Sequence, residues 1–110
     1  MAHLILDDLV RSMVDAAKEA GGRQWKALQR RAMPEFTNLA ETAMEIERRK
    51  MTTNSDETQA ATLMRMHIRR ARQIIMAIDG VPSPILEGVV DGVNDVQRRA
   101  VAGATGWKGF

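Results

Sequence analysis

The chain has 110 residues, 16 of them basic and 14 acidic, a formal charge of +2 and no cysteine. That length suits one domain, residues 1–110, large enough to bury a core without disulfides or a structural metal, and the lack of cysteine excludes thiol nucleophiles, thiolate metal sites and an oxidative framework. The sequence pI near 9.5 overstates the field near neutral pH, where an excess of two charges is weak ground for nucleic-acid binding.

The apolar run His3-Leu4-Ile5-Leu6 stops at Asp7 and Asp8, too early for a secretion signal. Charged residues interrupt every later apolar stretch before the roughly 20 residues that a membrane span requires. A cytoplasmic protein with no membrane partner is the expectation. Apolar residues recur at spacings of three and four along the chain, while alternating strand patterns and hairpin turns are missing, which predicts an all-α fold.

The first predicted helix, about Leu4 to Ala20, puts Leu6, Leu9, Met13, Ala17 and Ala20 on one face and stops at Gly21-Gly22. The second, about Arg23 to Lys50, carries the seam Trp25, Leu28, Ala32, Phe36, Leu39, Ala43 and Ile46. Pro34 lies inside it and predicts a kink or break near Ala32 to Met33. Residues 51–55 read as a polar connection, with Asn54 and Glu57 spaced as a capping box. The third helix, about Asp56 to Asp79, has the seam Ala61, Met64, Ile68, Ala71, Ile75 and Ile78 and ends at Gly80. Ser83 as N-cap and Pro84 at the first helical position open a fourth helix to about Gly103. Its seam is Ile85, Val89, Val93, Val96, Ala100, Gly103 and Trp107, with Gly88 and Gly92 beside it at a spacing that permits close helix contact. Short connections predict an up-down bundle of about four helices, with the two longest as a central antiparallel hairpin.

Catalytic and metal chemistry find little support. A di-iron bundle needs Glu-x-x-His motifs, yet Met64 precedes His67 by three residues and His3 is terminal. His67 reads as a boundary residue making one hydrogen bond. Glu41 and Glu45 point away from the second seam and precede Arg48 and Arg49, which describes a solvated, ion-paired face; Glu87, Asp91 and Asp95 before Arg98 and Arg99 repeat that pattern. No phosphate loop, no Ser-His-Asp arrangement and no tyrosine are present. A non-enzyme without cofactor or metal, and with no small-molecule ligand inferred, is the expectation.

Two features invite a binding role. Arg65, Arg69 and Arg72 share one flank of the third helix and Arg70 lies on the other, with no acidic residue between Glu57 and Asp79. The group could grip phosphates or pair with glutamates of the second helix, and interleaved aromatics are absent. The second feature is a further apolar stripe on the second helix: Met33, Thr37, Ala40, Met44 and Met51, about 100° from the seam. Met66, Met76, Leu63 and Ile74 on the third helix, and Leu86, Val90, Val101 and Ala104 on the fourth, also lie off their seams. Surface this apolar predicts contact with another chain. The expected oligomer interface is Met33, Thr37, Ala40, Met44, Met66 and Met76.

The positions of Trp25, Leu39-Ala40, Ile46, Ile78 before Gly80, Val93-Asn94 and the tail Gly103-Ala104-Thr105-Gly106 resemble uncharacterised small helical proteins of bacteria and their phages over most of residues 23–106. The resemblance implies an all-helical fold and no particular activity. The functional expectation is therefore a non-catalytic structural or interaction module that forms homo-oligomers, with an adaptor for nucleic acid or another polyanion, using Arg65, Arg69, Arg70 and Arg72, as the alternative.

Overall fold

Four α-helices follow one another: α1 (Leu6–Gly21), α2 (Trp25–Thr53), α3 (Glu57–Met76) and α4 (Ser83–Thr105), with a 3-10 turn at Gly22–Gln24 between the first two. The computed structural model describes residues 5–53 and 57–106, and the side chains of 5–49 and 58–106. The predicted Asn54 capping box and the seam position of Trp107 lie outside the described residues, as do the side chain of Met51 and all of His3. Among the described residues there is no strand, and no helix is long and apolar enough to cross a membrane.

Helix α1 has the simplest logic: Leu9, Met13, Ala17 and Gly21, each four residues apart, form its buried row. It ends where Gly22 adopts a positive φ of 51°, a conformation that costs glycine little. Helix α2 at about 1.5 Å per residue spans the 43 Å long axis of the molecule. Its predicted seam is buried throughout. The predicted break at Pro34 does not occur, for the helix continues through it. Pro34 and Arg30 are exposed, so the missing hydrogen bond falls on the solvent side of the helix, where water can replace a donor.

Interhelical contacts fix the topology. Gly88 sits against Ala20 and Gly92 against Ala16, so α4 descends α1 as the numbering of one rises and the other falls. Arg72 bonds Glu87 and His67 bonds Gln97, so α3 and α4 are also antiparallel. Arg31 near the start of α2 lies 4.0 Å from Asp79 just past the end of α3. The bundle is therefore up-down, with α2 and α4 parallel. Both of these helices pack against all three others, and α1 with α4 form the most extensive pair. The short diagonal of the bundle is thus α2 with α4, and the expected α2–α3 hairpin is one side of it.

That arrangement accounts for the off-seam apolar residues. A helix with three neighbours needs more than one apolar stripe. Leu86, Val90, Val101 and Ala104 are buried inside the chain, Ala40 is 0% exposed, and Leu63, Ile74, Met33 and Met76 pack against the same core. On α3 the buried row is Ala60, Met64, His67, Ala71 and Ile75, continued by Ile78 in the turn beyond the helix; the predicted Ala61 and Ile68 are half-buried beside it. The boundary corrections are small. Ser83 is the first residue of α4 rather than its cap, Pro82 holds the cap position, and α4 closes at Thr105, where the Gly106 amide donates to the Ala102 carbonyl at 2.8 Å with φ of 76°. Helix α3 stops at Met76, and Gly80, φ 85°, lies in the turn beyond it.

Candidate anion-binding groove

Side chains on adjacent antiparallel helices that point neither into the core nor straight out define the walls of the channel between them. Between α3 and α4 this channel is a groove of about 570 Å³. Ala61, Met64, Ile68 and Val90 form its apolar floor. Arg65, Arg69 and Arg72 line it from α3, and Arg98, Asp91 and Asn94 from α4. The spacing of 65, 69 and 72 keeps three guanidinium groups on one flank of α3. Arg70, one residue further round, is not among the lining residues. The sequence reading missed Arg98, whose only signal was its place in an apparently solvated run on α4.

Charges along the groove are unevenly compensated. At one end the two terminal nitrogens of Arg72 each donate to a carboxylate oxygen of Glu87 at 2.5 Å, a fork-on-fork pair between α3 and α4. Those hydrogen bonds hold the Glu87 carboxyl below its usual range and raise Arg72, with Asp91 adding to the field on Arg72. The partner of Arg72 is thus on α4, not among the glutamates of α2. Towards the other end Arg65 donates to Thr62 Oγ1 at 3.3 Å, while Arg69 and Arg98 make no ion pair among the described residues. Three cations therefore converge on the groove with no carboxylate bonded to them.

His67 lies behind the floor. At 4% exposure it is buried and not a boundary residue, and its Nε2 stands 2.5 Å from Gln97 Oε1. Gln97 Nε2 donates to Asn94 Oδ1 at 3.2 Å, and His67 Nδ1 has no partner. Burial lowers the His67 pKa from 6.5, the Gln97 hydrogen bond opposes that shift, and the positive charge of Arg70 reinforces it. Gln97 thus links the His67 imidazole on α3 to the Asn94 carboxamide on its own helix, and the His67–Gln97 bond ties α3 to α4; the other ring nitrogen, Nδ1, is sealed from solvent.

The remaining sequence candidates scatter. Glu41 and Glu45 are exposed on α2, where Glu45 accepts from Arg48 at 2.8 Å, and Asp95 pairs with Arg99 at 3.1 Å on α4. Among the described residues no three His, Asp or Glu side chains are grouped so as to hold a metal ion. Of the expected interface residues, Met66 is 60% exposed, Met33, Thr37, Met44 and Met76 are half-buried, and Ala40 has no surface to offer another chain. No protein family, curated protein or solved structure matches the chain.

Proposed function

We propose that this chain is a non-catalytic binding module of the cytoplasm whose α3–α4 groove takes a polyanionic partner through Arg65, Arg69 and Arg98. The observation that carries the reading is convergence: two helices direct three guanidinium groups without bonded carboxylates into one groove, whereas the acids there attend to Arg72. Arginine presents a planar fork of donors suited to phosphate oxygens. Chains of phosphates, as in nucleic acid, are the partner chemistry that this array serves. Fluorescence anisotropy with random-sequence 20-nucleotide RNA and DNA at stepped salt tests it. Three phosphate contacts on a single strand give a log–log salt slope of about −2. Arg65, Arg69 and Arg98 changed together to Gln should remove binding with helix content unchanged. Lack of binding by the unaltered protein at low salt would end the proposal.

A homo-oligomer is the second reading, supported by Met66, an exposed large apolar residue on α3 with half-buried Met44 and Met76 elsewhere on the surface. Its partner is a second copy of this chain, through an interface that excludes Ala40.

A further inference from the structure

Three polar side chains, spaced over thirty residues of sequence, meet between α3 and α4 and end at the groove. The direction of their hydrogen bonds can be worked out from the buried end. Desolvation favours neutral His67, and a neutral imidazole carries one N–H. Since Gln97 Oε1 can only accept, that proton is on Nε2. Gln97 is thereby oriented with its amide nitrogen towards Asn94, to whose Oδ1 it donates. Asn94 must therefore turn its Nδ2 the other way. That nitrogen has no protein partner among the described residues, and unlike His67 Nδ1 it is not sealed from solvent. Asn94 is 4% exposed, yet it lines the groove together with Arg65, Arg69 and Arg98.

A buried amide held in one orientation, on a residue that lines an arginine-rich groove, has the character of a recognition contact. Water satisfies that donor in the free protein and a ligand oxygen can take its place, whereas a surface that merely tracked a phosphate backbone by charge would have no use for it. We infer that Asn94 is the floor contact of an oxyanion subsite, where its Nδ2 donates to an oxygen of a phosphate group whose charge is met by Arg65, Arg69 and Arg98. The inference rests on the reading of the groove as an anion site and adds a ligand class. Donors from two helices and the floor suit a tetrahedral group with three or four oxygens better than a carboxylate with two. The phosphate is a terminal one, at the end of a nucleic-acid strand or on a small phosphate compound, because a group inside a strand is held between its neighbours at the rim. Asn94 is on this account a specificity-determining residue, and His67 and Gln97 are positioning residues behind it.

Titration of the unaltered protein with sodium pyrophosphate, followed by ¹H–¹⁵N NMR, tests this directly. The side-chain amide pair of Asn94 should shift together with the Nε–H signals of Arg65, Arg69 and Arg98, while that of Asn38, exposed on α2, stays in place. Asn94→Ala should weaken pyrophosphate binding about tenfold. Because that variant also deprives Gln97 of its acceptor, the wild-type titration decides the matter if the variant does not fold. A single-stranded oligonucleotide bound at least fivefold more tightly with a 5′-phosphate than with a 5′-hydroxyl identifies a strand end as the source; equal binding identifies a small phosphate compound. Shifts at the arginines with Asn94 as still as Asn38, or oligonucleotide binding without pyrophosphate binding, would overturn this inference and leave the groove reading standing. No binding of either probe would overturn both.

Discussion

Gly92 and Ala16 approach so closely that a Cβ added to the glycine would stand 3.4 Å from the alanine Cβ and 3.5 Å from its carbonyl oxygen. One turn away a Cβ added to Gly88 would stand 3.6 Å from the Ala20 Cβ, an ordinary van der Waals contact, and Gly103 has open space. Alanine fits at Gly88 and Gly103 and removes the entropic cost of glycine in a helix, so Gly88→Ala and Gly103→Ala should each stabilise by up to about 1 kcal/mol. A larger residue at Gly92 must push α1 from α4. Gly92→Leu should destabilise by about 2 kcal/mol or more, in the manner of an overpacked core. Urea unfolding measures all three, and a neutral Gly92→Leu would mean that α1 and α4 do not meet at this seam.

Pro34 occupies an exposed position in an uninterrupted helix. Pro34→Ala should therefore raise stability, by as much as about 3 kcal/mol, because it restores a donor and removes a clash without disturbing the core. A fall in the melting temperature would show that the proline shapes the packing of the Phe36 region.

His67 gives stability a pH dependence of defined sign. Its folded pKa is lowered from 6.5 by burial, so the unfolded chain takes up the proton first. Stability should be level above pH 6.5, fall as pH drops below it, and level off again once the folded-state pKa is passed, with a slope of at most about 1.4 kcal/mol per pH unit. His67→Gln should flatten the segment just below pH 6.5. An unchanged slope in that variant, measured by denaturant unfolding at several pH values, would assign the effect to the carboxylates.

Arg72 is held by Glu87 at one end of the groove. Glu87→Gln should release it, so that the affinity for oligonucleotide rises and the salt slope steepens towards one further contact, about −0.7 on a single strand. Equal slopes for the variant and the unaltered protein would place Arg72 outside the anion path.

Self-association has a narrower basis than the sequence implied, since Met66 and Ile5 are the large apolar residues exposed among the described residues. Light scattering at micromolar concentration should report a dimer or larger assembly if the second reading holds, and Met66→Glu should return it to monomer with unchanged helix content. Burial contributes about 25 cal/mol per Å² against an association cost of several kcal/mol, so a wild-type mass near 12 kDa would remove that reading.

How much was legible from the sequence differs from helix to helix. On α2 the apolar spacing identified every residue of the buried seam, and on α1 it identified Leu9, Met13 and Ala17, with Leu6 and Ala20 half-buried at the edge and Gly21 completing the row, because three- and four-residue apolar spacing marks the face that a helix turns inward. On α3 the pattern allowed a turn of one residue: Ile68 is the better apolar candidate, but His67 takes the inner position because Gln97 on α4 supplies its hydrogen bond. Asn94 and Gln97 were three residues apart on the apolar side of α4, between Val93 and Val101, a signal of a polar pair facing inward. Nothing local, however, joined that pair to a histidine thirty residues earlier.

The sequence by itself determined that the chain is helical, that glycine stops α1 at residues 21–22, and that arginines gather on one flank of α3, since periodicity, turn conformation and charge are local properties. Tertiary structure decided which apolar stripes are interior. Once α2 and α4 touch across the short diagonal each has three neighbours, so stripes that looked like surface for another chain, Ala40, Val90 and Val101 among them, are filled from within. It also decided which charges cancel, because Arg72 and Glu87 share no helix and meet only when α3 and α4 pack antiparallel, leaving Arg65, Arg69 and Arg98 around Asn94.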